Sequence, residues 1–483
     1  MHYLIAESVA LNPHLETAGE LALRFRDEGH EVSFTWLGDD LPWSDWCLPA
    51  VARLLGCSLE RRVRRFMGLL GQEGIVVYNQ VAPNDGRLGR ALMWAADFRG
   101  DTEALKNYRL DSARLGMGAV SSLISLHGDS RYRADLNQEE VHQCLAAAAL
   151  VYERARSVIE WVRPDVVVTF NGRFATSKPI VAAAEDFGIR TLRHERGSTF
   201  QRYEIFEDSV HSYAYRRQRI RDLWSSTPHE ERTRNGHKFF ERRRCGDGIG
   251  WYSFTDHQQR GMVPAKLEGV RRVVYFSSSD DEYAATTDKC ESGPWSDQLA
   301  AVKALIRSID AVLGIELIVR IHPHLSKKSI FERARWMRLA GVNVKVIAPD
   351  DPVDSYALLD SADVIFSFGS TIGMEAAYWG KPSALLAPCL YSDSPAVICP
   401  KSDSDVQALL SSSDRLMPPS REQCLPYGNY FLSYGTSFKF YKPTSLSEGE
   451  FIGDRLGWDP APVYWLRKQG LGRFYRSLVK KWI

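Results

Sequence analysis

Two stretches of the chain carry side chains suited to gripping a phosphate. The first runs Ile318-Val319-Arg320-Ile321-His322-Pro323-His324. The second, ADVIFSFGSTIGMEAAYWGKP, runs from Ala362 to Pro382. In the second, Val364-Ile365-Phe366 reads as a buried strand and Ser367 to Thr371 as a small-residue turn. A helix opens near Ile372 and stops at Gly380-Lys381-Pro382. Ser370 and Thr371 stand where N-cap residues stand. Free N–H groups, hydroxyls and the positive end of the helix dipole then face an anion. Glu375, one turn further in, is within reach of a sugar hydroxyl beside that phosphate. Taken alone the stretch is equally an ordinary strand-to-helix connection. Arg320 and His322 tip the balance, because a guanidinium and an imidazole facing a helix N-terminus hold a phosphate from two sides. Pro323 ends the strand abruptly and fixes where His322 points.

The first half of the chain offers a second set. Asp165 to Phe170 reads as a strand leaving through Asn171-Gly172-Arg173, Pro179 to Phe187 as its helix, and Ile189 to His194 as the next strand, leaving through His194-Glu195-Arg196-Gly197. Two successive strands thus end in groups able to move protons or hold substrate. In open parallel sheets the ligand crevice lies at such carboxyl ends. Surface ion pairing is the competing account of Arg173, Glu195 and Arg196.

The elements that must position these groups alternate as β and α throughout. His2 to Ala6, Ala18 to Glu28 and Glu31 to Leu37 make a β-α-β opening without the glycine fingerprint of a dinucleotide site. Residues from about Leu48 to Ala148 are helical in period around a strand-like Gly74 to Asn79. Gln201 to Pro264 reads as aromatic and basic helices leading to a linker, with the Arg242-Arg243-Arg244 cluster on a solvated face. A second series begins at Arg271. Its strand Val273 to Phe276 exits through Ser277-Ser278-Ser279, and Ser278 is a candidate donor contact. Strands at Glu316 to Ile321, Val342 to Ile347 and Ser383 to Leu386 complete it. We therefore expect an α/β protein of two Rossmann-like β/α/β domains facing each other across a cleft. The expected boundaries are 1–265 for an acceptor-side domain, 266–415 for a nucleotide-donor domain, and 416–483 for a crossover segment with a basic amphipathic helix.

The totals narrow the function classes. With 483 residues, 61 basic and 60 acidic, the net charge is +1, so bulk electrostatics do not favour nucleic acid. Eight scattered cysteines show no CxxC pair and no zinc spacing, which points to reduced thiols and a cytoplasmic setting. The opening residues lack a basic leader, and no apolar run is long enough to span a bilayer. From Tyr464 to Ile483 six basic residues and no acid accompany a stripe of Leu471, Phe474, Tyr475, Leu478 and Trp482. That pattern suits an anionic membrane surface or a helix docked on the core.

The His-Pro stretch and the Ser-Thr stretch together resemble the nucleotide-binding half of GT-B glycosyltransferases. They are closest to the capsule-polysaccharide-synthesis group that includes Kdo transferases, and are also similar to bacterial sialyltransferases and to glycerophosphotransferases of teichoic acid synthesis. The resemblance covers roughly Val270 to Leu386. It implies that His322, Ser370 and Thr371 contact the donor's nucleotide phosphate, with Arg320 and Pro323 beside them, and that Glu375 holds the ribose. It implies a nucleotide-sugar donor and a glycan or lipid-linked glycan acceptor at the inner membrane. No clear paired-acid-glycine motif of the sialyltransferases is present, so either Glu195 takes that role or the mechanism differs. Glu195 is the candidate base of an inverting displacement because it leaves a first-half strand facing the expected cleft, with His194 as the substitute. Asn171, Arg173 and Arg196 are candidates for the acceptor or sugar side. Neither a metal nor a cofactor is expected. The competing classes are a nucleotide-sugar 2-epimerase, a glycerophosphotransferase and a non-catalytic assembly or export factor.

Overall fold

The computed structural model describes residues 1–46, 57–79, 82–248, 257–279, 284, 293–412 and 416–457. The tail helix expected over Tyr464 to Ile483 lies outside them. The chain forms two compact units, each built on a largely parallel sheet, so the expected pair of Rossmann-like α/β domains is present.

In the first unit the strands are β1 (His2–Glu7), β2 (Glu31–Trp36), β3 (Val76–Tyr78), β4 (Val166–Phe170), β5 (Arg190–Arg196) and β6 (Arg202–Phe206). They lie in the order β6-β5-β4-β1-β2-β3. Alternation along β1 explains why both faces are covered. Tyr3 and Ile5 pack with Leu15, Leu21 and Phe25 of the helix His14–Asp27, while Leu4 and Ala6 pack with Val151, Tyr152 and Ala155 of the helix Gln138–Val162. β1 has β2 on one side and β4 on the other, all parallel, so the topological switch point falls between β1 and β4.

The second unit holds β7 (Arg271–Phe276), β8 (Ile315–Arg320), β9 (Val344–Ile347), β10 (Val364–Ser367) and β11 (Ser383–Leu385), all parallel, in the order β11-β10-β7-β8-β9. Val273, Tyr275, Val319 and Phe366 feed one core; Val274, Phe276, Ile318 and Ile365 feed the other. Here the switch point lies between β7 and β10, which places Ser277 and the Ser367–Thr371 turn side by side.

The unit boundaries differ from the expected ones. The first unit comprises 1–123, 133–210 and the described chain from Gly435; the second comprises 124–132 and 211–434. The described residues 211–248 and 257–265 therefore group with the second unit rather than with the first. The helices Tyr213–Ser226 and His229–Arg244 bury Ile220, Phe239 and Phe240 against Tyr378, Tyr427 and Tyr430 of the second unit. The stretch read as wholly helical from Gln201 also opens with strand β6, antiparallel to β5. The chain from Gly435 returns to the first unit because buried Glu20 accepts the backbone N–H groups of Lys439, Phe440 and Tyr441. There β12 (Thr436–Ser437) extends the sheet beyond β6.

The helix His229–Arg244 meets the helix Leu425–Ser433 at glycines. A methyl group added at Gly428 would lie 2.6 Å from the Gly236 carbonyl oxygen. Gly428→Ala, which in an open helix would stabilise by about 0.5–1 kcal/mol, should instead lower the denaturation midpoint. Gly68→Ala, with nothing within 4 Å of the added carbon, should not lower it.

Candidate functional site

The carboxyl ends of β7, β8 and β10 surround a cavity of about 90 Å³ within the second unit. Its walls include Ser277, Arg320, His322, Pro323, Ser370, Thr371 and Glu375, together with Arg243 and Tyr356. Six of the seven residues expected to hold a nucleotide thus line one space. That volume is below the roughly 300–1,000 Å³ of a complete small-molecule pocket.

Each wall has a local cause. Gly369, at φ +79, turns the chain between β10 and the helix Thr371–Tyr378. Ser370 is that helix's N-cap residue, yet its side chain makes no capping hydrogen bond, and its carbonyl accepts from the Tyr391 hydroxyl. Gly373 lets the first turn press onto β10, since a methyl there would lie 2.5 Å from Ser367 Oγ. The helix start at Ser370, Thr371 and Ile372 lines the cavity, and a helix N-terminus favours an anion.

His322 is anchored at its backbone, where its N–H donates to Ser277 Oγ at 2.8 Å. Its Nδ1 accepts the N–H of His324 at 3.2 Å. Nδ1 must then hold a lone pair, so a neutral ring carries its proton on Nε2. Arg320 is 1% exposed. Its guanidinium donates to the carbonyls of Ala348 and Asp351, leaving Nε unpartnered. Burial pulls its pKa down, while the Asp351 and Asp350 carboxylates oppose the shift. Arg320 is therefore a fixed positive charge in the wall, tied to the loop after β9, rather than a swinging clamp.

Glu375 is buried and already engaged. Tyr356 donates its hydroxyl to Oε2, and Arg243 stands 3.5 Å from Oε1. Burial first, then the adjacent carboxylate, push the Tyr356 phenol far above its ordinary range. The Glu375 charge outweighs burial at Arg243 and raises its pKa. Two expectations are corrected here. Arg243, its side chain 34% exposed, reaches inward to Glu375 rather than standing on a fully solvated face, because it follows the buried Gly236, Phe239 and Phe240 at a spacing of seven from Gly236. That spacing was available in the sequence. Ser278 does not line the cavity. Its hydroxyl donates to the Phe368 carbonyl at 2.8 Å and its N–H to Gln298 Oε1 at 2.6 Å, so Ser277 takes the place facing the cavity.

In the first unit the expected residues form a separate cluster at the ends of β4 and β5. Asn171 sits at φ +54, a left-handed conformation that asparagine tolerates, and donates to Glu195 Oε2 at 2.6 Å. Glu195 Oε1 accepts the Arg196 N–H at 3.0 Å, and the side chain keeps 26% exposure. Arg196 donates to the Asn12 carbonyl, and Arg173 lies over the Phe174 ring at 4.3 Å. His194 does not leave the strand as expected. β5 continues to Arg196, so the side chain points into the fold at 0% exposure and pairs with Glu7 at 2.7 Å. That burial takes it out of the reserve role for a base. Burial raises the Glu7 pKa, with His194 opposing. His14, unnoticed in the sequence, has its Nδ1 3.9 Å from Glu195. Burial, with Arg196 and His194 nearby, holds its pKa well below the usual imidazole range. A larger cavity of about 650 Å³, lined by Trp36, Asp39, Asp40, Trp46 and Arg154, opens at the ends of β1 and β2. None of the expected acceptor-side residues lines it.

No family model matches the chain, and no curated protein matches it. Among solved structures it is similar to the beta Kdo 2,4 transferase KpsC of Thermosulfurimonas dismutans, at 14% identity and TM-score 0.37 over 55% of this chain and 79% of that one. The beta Kdo 2,7 transferase KpsC of the same organism aligns at 12% identity and TM-score 0.37, over 65% and 89%. A putative UDP-N-acetylglucosamine 2-epimerase from Listeria monocytogenes aligns at 11% identity and TM-score 0.27, over 90% and 93%. The fold described above rests on the two sheets themselves, not on these alignments.

The buried pair yields a test. His194→Ala strands the Glu7 carboxylate and should cost roughly 3–5 kcal/mol in denaturant unfolding at neutral pH. Burial already raises the folded Glu7 pKa and His194 opposes that rise, so removing His194 raises it further. A carboxyl with a raised folded pKa binds its proton more readily folded than unfolded, so the variant gains more stability than the wild type as pH falls. The deficit should therefore shrink toward the unfolded carboxyl's pKa of about 4.3.

Proposed function

We propose that the chain is a GT-B glycosyltransferase that moves a sugar from an activated nucleotide to a glycan acceptor of a bacterial surface polysaccharide. The carrying observation is the convergence of His322, Ser370, Thr371, Glu375 and the fixed charge of Arg320 on one cavity at the switch point of a parallel sheet. In this reading the helix amides and His322 Nε2 stabilise charge on the leaving phosphate, and Glu375 takes the ribose. Arg320 adds a positive potential from the wall. Glu195, held by Asn171 and the Arg196 amide, is the base that takes the acceptor proton in an inverting displacement. Asn171, Arg173 and Arg196 support the acceptor side. The basic segment Tyr464 to Ile483 would keep the enzyme at the inner face of a membrane, where lipid-linked acceptors are found.

Calorimetry against CMP, UDP, GDP and CDP should find one nucleotide that binds, and His322→Ala should weaken it by about 1.5–3 kcal/mol. Unchanged affinity removes His322 from the site. Glu195→Gln should leave that affinity intact and lower the transfer rate by about 10²–10⁴-fold. Turnover of nucleotide-sugar without any acceptor, yielding an epimerised donor, would assign the chain to the epimerases instead.

A further inference from the structure

The helix Ile330–Met337, which follows the His-Pro turn of the second unit, carries large apolar side chains on its outward side as well as its inward one. Its inward side carries Glu332 and Trp336, 3% and 0% exposed. Its outward side carries Ile330 at 64%, Phe331 at 67% and Met337 at 42%. At 3.6 residues per turn, Met337, Ile330, Ala334, Arg338 and Phe331 fall in that order along one outward arc, taking Arg338 as continuing the helical path. Large apolar side chains gathered on one exposed face mark a contact surface.

The charge around the arc says which kind. Lys327, just before the helix, and Arg338, at its C-terminal end, are both exposed. The helix's one carboxylate, Glu332, faces inward and is held by Arg335 at 2.6 Å and by the Ser130 hydroxyl at 3.0 Å. The exposed arc thus has cations at the two ends of the helix and no acid of its own helix. A second copy of the same face would bring like charges together, whereas an anionic lipid surface complements both features. We propose that this helix face docks on an anionic phospholipid surface, inserting Ile330 and Phe331 between headgroups. The contact is separate from the basic segment at the end of the chain and does not depend on the transferase reading.

The test is co-sedimentation of the full-length chain with vesicles of phosphatidylcholine alone or mixed with phosphatidylglycerol. The wild type should bind the mixed vesicles, more weakly as salt rises. The double variant I330S/F331S should bind at least about tenfold more weakly while melting at the same temperature, since both side chains are solvent-exposed. K327E/R338E should show a comparable loss. Absence of wild-type binding, equal binding to both vesicle types, or undiminished binding by I330S/F331S overturns the proposal. So does a wild-type dimer in solution that I330S/F331S converts to monomer, which would make the face a self-association surface.

Discussion

Three strand ends in the second unit are fastened to one another by two serine hydroxyls. Ser278, after β7, donates to the Phe368 carbonyl that follows β10, and Ser277 accepts the N–H of His322 that follows β8. Parallel strands have no hairpin to hold their ends in register, so without such ties the loops beyond them would drift independently. These two bonds fix the imidazole, the Ser370 turn and the helix N-terminus relative to each other. Both serines are buried, Ser277 at 1% and Ser278 at 5% exposure. A buried hydroxyl is costly unless it is bonded, which gives these ties their directional strictness.

Much of this unit was legible beforehand, because fully buried parallel strands are short continuous apolar runs bounded by turn residues. Val364-Ile365-Phe366 and Ile315–Arg320 announce themselves in that way. The phosphate-seat residues were legible because small hydroxyl residues before a helix and a proline after a strand have few other uses together. What escaped notice depends on partners distant in sequence. Arg243 and Tyr356 reach Glu375 from elements 132 and 19 positions away. Ser277 and Ser278 are adjacent and chemically identical; only the alternation of the chain beyond β7 decides which one faces the cavity. The unit boundary was misplaced for a related reason. The aromatic residues of the helix His229–Arg244 signal burial but not against what, and their partners Tyr427 and Tyr430 lie far along the chain.

In the first unit a similar limit applies to charge. Glu7 and Glu20 are buried acidic side chains, and the sequence announces only part of what matches them: Arg24 lies one helical turn from Glu20, whereas His194 for Glu7 and the Lys439–Tyr441 backbone for Glu20 come from far along the chain. Strand alternation separates neighbours sharply. His194 and Glu195 are adjacent, yet one is sealed against Glu7 and the other keeps contact with solvent beside Asn171. A one-residue difference in phase assigns them opposite fates.

The engaged state of Glu375 means that its carboxylate is held in place before any ligand arrives, by the Tyr356 hydroxyl on one oxygen and Arg243 beside the other. A carboxylate has about four lone-pair sites, so a ligand hydroxyl reaching it joins these partners rather than replacing one. The side chain then has little freedom left to lose on binding, and the acceptor is preorganised for whatever donor enters the cavity.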